Sequence, residues 1–186
     1  MKLIIIEGTD RTGKDTLVNR LIADNRNVLK RHWGFPKGNT NEERTKFQKR
    51  SFNEEFHLYE VLNVHGPDDM IMIWNRAHLG EFVYGTIYRD SKPETWVWNL
   101  EEEHDFDVNT EVYMILLYAD PEFVAAKDDG KSYSAKLEDK TKEIDAFLSA
   151  FEKSSIPKKI KIKVNDGNNY VSQDAIYSEV NEFING

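Results

Sequence analysis

One spacing constrains this chain more than any other. Lys2-Leu3-Ile4-Ile5-Ile6-Glu7 is a continuous apolar run; Gly8-Thr9-Asp10-Arg11-Thr12-Gly13-Lys14 follows it, and Leu17, Leu21 and Ile22 then recur on one side of a helical pattern from Gly13 to Asp24. A strand, a G-x-x-x-x-G-K turn and a helix in that order match a phosphate-binding loop. Two glycines let the backbone wrap so that successive N–H groups face one phosphate chain. The helix N-terminus adds partial positive charge, and Lys14 is placed to reach the β- and γ-phosphates. The stretch Gly8, Thr9, Asp10, Arg11, Thr12, Gly13, Lys14, Asp15 and Thr16 is therefore expected to hold a nucleoside triphosphate. Position 15 usually carries a serine or threonine whose hydroxyl sits on Mg²⁺. Asp15 stands there instead, and it has two readings: a carboxylate complementing the helix dipole, or an oxygen ligand for the metal. Thr16 lies one residue late for direct ligation.

Further strands are expected at Asn27 to His32, Asp69 to Trp74, Glu111 to Tyr118 and Lys159 to Val164. Nearly continuous apolar runs suit central strands of a parallel sheet. The Lys/Ile alternation of the last suits an edge strand. Helical patterns fall at Asn41 to Val64, Ala77 to Tyr88, around Trp96, Trp98 and Leu100, and at Ala135 to Lys153 and Ser172 to Ile184. This alternation predicts an α/β three-layer sandwich on a five-stranded parallel sheet, one domain over residues 1–186. Site residues are expected after the first three strands, at their carboxyl ends.

Composition narrows the chemistry. The chain has no cysteine, which excludes disulfides, thiolate catalysis and Cys-ligated zinc. No apolar run approaches the roughly 20 residues that span a bilayer, so a cytoplasmic protein with no membrane partner is expected. The formal net charge of -8 gives no overall basic excess for nucleic acid. Two local stretches remain, Lys158, Lys159, Lys161 and Lys163, and Arg44, Lys46, Lys49 and Arg50; each is either a solvated face or a basic track.

The loop "IEGTDRTGKDT" resembles that of thymidylate kinases, roughly (L/F)-E-G-x-D-(R/G)-x-G-K-(S/T)-T, with Glu7, Gly8, Asp10, Arg11, Gly13, Lys14 and Thr16 in place. "GFPKGNT" is similar to the family's Phe-Pro-x-Arg-x-Thr segment through Phe35, Pro36 and Thr40. "WNRAHLGEFVYG" is similar to its Asp-Arg-(Tyr/His)-x-x-Ser-x-x-Ala-Tyr through Arg76 and Tyr84, and "AAKDDGKSYS" falls where the family's mobile lid lies, about residues 127–134. Short phage-type nucleotide kinases look closest. The resemblance implies transfer of the γ-phosphate of Mg·ATP to a deoxynucleotide, thymidylate or a 5-modified deoxyuridylate, and a possible homodimer. It implies catalytic roles for Lys14, Arg11, Asp10 and Arg76. Asp10, Phe35, Lys37, Arg76, Gly80 and Tyr84 would bind the acceptor, and Asp15, Thr16 and Asn75 would form the metal site. The family carries its phosphate-neutralising arginine in the loop or in the lid; here Arg11 is in the loop and the expected lid has no arginine.

Four positions depart from the pattern: Asp15 for Ser/Thr, Asn75 for Asp, Lys37 for Arg and Gly80 for Ser. The first two read as one exchange, a carboxylate moved from strand to loop with total site charge kept. Lysine lacks arginine's bidentate fork, and Gly80 leaves more room near a base. These changes leave a second acceptor open, 5-hydroxymethyluracil already in DNA, and a third reading, a nucleotide-binding protein without catalysis. Several residues keep two readings: Arg76 as phosphate ligand or ion pair, Phe35 and Trp33 as base-stacking or core, Tyr84 as pocket wall or core, and His78 as surface or substrate contact.

Overall fold

The computed structural model describes residues 1–104 and 106–186. Strands β1 (Lys2–Glu7), β2 (Val28–His32), β3 (Ile71–Asn75), β4 (Val112–Tyr118) and β5 (Lys158–Lys163) form one parallel sheet in the order β2-β3-β1-β4-β5. The lysine-alternating strand lies at an edge, as its pattern requires. Side chains along β1 alternate between the two faces. Leu3 and Ile5 join Met72, Trp74 and Met114 under α2 (Asn41–His65), α3 (His78–Arg89), α4 (Val97–Glu103) and α6 (Leu137–Lys153). Ile4 and Ile6 join Ile73, Ile115 and Leu117 under α1 (Lys14–Ala23), α5 (Pro121–Ala126) and α7 (Gln173–Asn185). The result is the expected three-layer α/β sandwich.

Local chemistry sets the element ends. Thr40 accepts a hydrogen bond from the Glu43 N–H at 3.2 Å, and Glu43 returns one from the Thr40 N–H at 3.3 Å, so Thr40 caps α2. Among the described residues, the elements not expected from sequence are a 3-10 turn at Pro93–Thr95, the six-residue α5, and a hairpin of β6 (Asn165–Asp166) and β7 (Asn169–Tyr170) turning at Gly167 with φ +54°. His78 corrects both readings made of it. It is fully buried at the start of α3, with Nε2 2.6 Å from Glu101. Glu101 also accepts from Ser154 Oγ, Ser155 N–H and Ser155 Oγ, tying α3 and α4 to the end of α6.

Candidate active site

The phosphate loop leaves the carboxyl end of β1, between β3 and β4. Gly8 has φ +138°, and a Cβ there would lie 2.0 Å from the Leu117 carbonyl oxygen, so the β4 backbone closes the loop from behind. Gly13 (φ +81°) starts α1. Thr12 Oγ1 and Lys14 Nζ both donate to the Thr9 carbonyl, at 2.8 and 2.5 Å. Gly8, Thr9 and Thr12 thus shape the loop from behind, while Asp10, Arg11, Gly13, Lys14, Asp15 and Thr16 line a cleft of about 840 Å³. Burial, and then the nearby Arg76 guanidinium, lower the Lys14 ammonium to about 8.

The exchanged pair meets in space. Asn75 ends β3 and donates from Nδ2 to Asp15 Oδ1 at 2.5 Å, while its Oδ1 is buried with no partner among the described residues. Arg76 follows in a left-handed backbone (φ +66°) and forms an ion pair with Asp10. Glu7, at the end of β1, is fully buried, and burial raises its carboxyl above the usual range. It accepts the Gly80 N–H at 3.1 Å, and a Cβ on Gly80 would lie 3.4 Å from its second oxygen. The room expected beside Gly80 is therefore bounded by Glu7.

At its other end the cleft is lined by Phe35, Gln48, Glu81, Tyr84, Arg89 and Tyr133. Tyr84 is buried, and burial first, then Asp10, holds its phenol well above the usual range. Sequence reasoning missed a polar set beneath it: Gln48 donates to Glu81 at 3.3 Å, and Arg89 pairs with Glu81. The signal was present, since Gln48, Phe52, Phe56 and Tyr59 fall on one face of α2, and all four are buried. Trp33 packs 5.2 Å from Phe52 and 5.1 Å from Trp74, and it also lines the cleft. Lys37 lines an adjoining cavity of about 310 Å³ with Arg31 and Glu55, which shares Trp33, Gly34, Phe35 and Gln48 with the cleft.

Residues 128–134 cross the cleft. Asp128 Oδ1 accepts the Gly130 N–H at 2.7 Å, and Asp128 accepts from Ser132 and faces Lys140 at 3.4 Å. Asp129 pairs with Arg11, and Arg89 donates to Tyr133 Oη at 3.1 Å. From the other side Tyr170 of the β6–β7 hairpin donates to the Arg11 carbonyl at 2.9 Å, where Arg11 has φ +67°.

The basic stretches are largely committed. Lys158, Lys161 and Lys163 pair with Glu111, Glu152 and Asp120, and Lys159 donates to the carbonyls of Phe151, Glu152 and Ser154. Lys46 and Arg50 pair with Glu42 and Glu54, and Arg44 lies over Phe35. Among the described residues no helix is long and apolar enough to cross a membrane.

The architecture is that of the P-loop kinase sandwich. The chain is similar to the thymidylate kinase of Candida albicans, a structure described as revealing the origin of broad substrate specificity, with a TM-score of 0.68 at 16% identity over 98% of this chain and 90% of that one. It is also similar to the YorR protein of Bacillus subtilis, solved with phosphorylated GDP, with a TM-score of 0.59 at 16% identity over 97% of both chains. At such identity the likeness is one of fold. No protein-family profile matches the sequence, and no curated protein matches it.

Proposed function

We propose that the chain is a phosphotransferase that moves the γ-phosphate of ATP to a free deoxynucleotide, thymidylate or a 5-modified deoxyuridylate. The observation that carries this is the convergence of Lys14, Arg11 and Arg76 on one cleft, at the glycine-bearing turn that ends β1. Phosphoryl transfer needs positioning and positive charge more than covalent help, and an arginine near the moving group is worth about 10³ to 10⁵ in rate. Lys14 and Arg11 neutralise the transferring phosphate. Arg76 holds the acceptor phosphate, and Asp10, paired with it, orients the acceptor sugar. Phe35, Gly80 and Tyr84 bound the acceptor, and residues 127–134 act as the lid over both.

The residues fit Mg²⁺. Asp15 offers a carboxylate, Asn75 an unpartnered amide oxygen and Thr16 a cleft-lining hydroxyl. Mg²⁺ is commonly held by one or two carboxylates plus substrate phosphates, and when bound it supplies charge neutralisation on the β- and γ-oxygens.

A free nucleotide is favoured over a base in DNA because the lysines of the β5 stretch are all engaged within the protein. Incubation with γ-labelled ATP and, separately, dTMP, 5-hydroxymethyl-dUMP and hydroxymethyluracil DNA tests the reading. Label is expected on a free monophosphate. Label on DNA alone replaces it with the modified-base kinase. Tight ATP binding without transfer to any of the three makes the chain a nucleotide-binding protein without catalysis.

A further inference from the structure

The acceptor end of the cleft contains two large aromatic rings that the fold leaves open. Phe35 is 61% exposed and Tyr133 is 43% exposed, both line the cleft, and their centroids stand 6.0 Å apart with planes tilted by 38°. Each is supported on another side. The Arg44 guanidinium lies 5.0 Å from the Phe35 ring centroid and is held by the Gly38 carbonyl at 3.1 Å and Asn41 at 3.2 Å. Tyr133 stacks on Tyr88 at 4.6 Å and 7°, and on Tyr84 at 5.4 Å and 20°. Its hydroxyl accepts from Arg89. Two exposed rings packed against each other at the mouth of a polar cleft are a costly way to fill a surface.

We infer that Phe35 and Tyr133 form a clamp that grips the planar base of the acceptor nucleotide, so that the lid supplies one wall of the acceptor site. This rests on the kinase reading above. Carbon contacts optimise near 3.5 Å, so a base between two rings needs about 7 Å. The centroids stand 6.0 Å apart with planes tilted by 38°, so a base enters when the lid moves Tyr133 outward and brings the two planes parallel. Gln48, Glu81 and Arg89 lie along the cleft floor, where they meet the base edge. Stacking senses a flat π-face rather than a donor and acceptor pattern. The clamp therefore tolerates substituents at the pyrimidine 5-position, which project from the ring edge. It also links the two substrates: Tyr133 lies four residues beyond Asp129, the partner of Arg11. Seating the base positions the segment that contacts the loop arginine.

Binding of deoxynucleoside monophosphates and of deoxyribose 5-phosphate, which lacks a base, separates the possibilities. With wild type, a panel of dTMP, dCMP, dGMP and dAMP selects the ligand, read by isothermal titration. Tyr133→Ala and Phe35→Ala are each expected to weaken that ligand by about 5- to 150-fold, the range of one base–aromatic stack. Deoxyribose 5-phosphate binding stays unchanged, and Tyr133→Phe keeps affinity within about threefold. Equal loss for both ligands, no loss, or tighter binding by Tyr133→Ala overturns the clamp and leaves the kinase reading standing. Wild type that binds no monophosphate overturns the kinase reading and the clamp with it.

Discussion

Lys14 gives a prediction whose size follows directly from the structure. Its ammonium sits buried at the start of α1 beside Arg76, and burial and that neighbour bring it to about 8 from an ordinary 10.5. A triphosphate binds the charged lysine. Affinity is therefore fully present below pH 8 and falls as pH rises through it. Between pH 7 and pH 9 the protonated fraction drops from about nine-tenths to about one-tenth, so the Kd for ATP rises roughly tenfold. The terminal phosphate loses its own last proton near pH 6, so the ligand's titration does not produce this fall. The assay is a fluorescent ATP analogue titrated from pH 7 to 9.5 with EDTA present, which keeps metal out of the measurement. Lys14→Arg supplies the control, because a guanidinium stays charged across this range and its profile should be level. A level profile for wild type, or the same slope in Lys14→Arg, refutes the argument from burial.

Four further outcomes follow from packing and charge. Asp15→Ser is expected to shift the Mg²⁺ dependence of turnover to higher concentration, and Asp15→Ser with Asn75→Asp to recover most of the loss; an unshifted Asp15→Ser midpoint disproves the charge exchange. Glu101→Ala removes the carboxylate that four donors share and should cost about 3–5 kcal/mol in urea unfolding, the range for a broken buried pair. Burial pushes the Glu101 carboxyl up, but its bonds from His78 and the two serines outweigh that and hold it below 4.5. The stability it contributes is therefore present above pH 4.5 and lost as pH falls through the lower folded value, a dependence that Glu101→Gln should weaken in acid unfolding curves. Gly8→Ala places a methyl 2.0 Å from the Leu117 carbonyl oxygen, and a thermal melt should show loss of several degrees together with loss of ATP binding.

The strands were legible because each central one is a nearly unbroken apolar run, and Lys158–Lys163 announced its edge by alternation. The loop was legible because its glycines answer to backbone geometry within seven residues. What escaped depends on distance in sequence. Nothing local marks His78 as buried, since its partner Glu101 lies 23 residues away. The α5 helix has six residues, too few to show a period. The β6–β7 turn did carry a Gly167-Asn168 pair between the paired Asp166 and Asn169, a hairpin signal that went unread. Lys37 was placed by analogy with an arginine, and it lines a cavity that adjoins the cleft at Phe35 and Gln48.

The order β2-β3-β1-β4-β5 leaves two strands with unpaired outer rims. Both rims carry lysine: exposed Lys30 on β2, and Lys158, Lys159, Lys161 and Lys163 on β5. A second molecule that tried to extend the sheet would have to set its own lysines against these and strip them from their carboxylates, which opposes strand-to-strand aggregation.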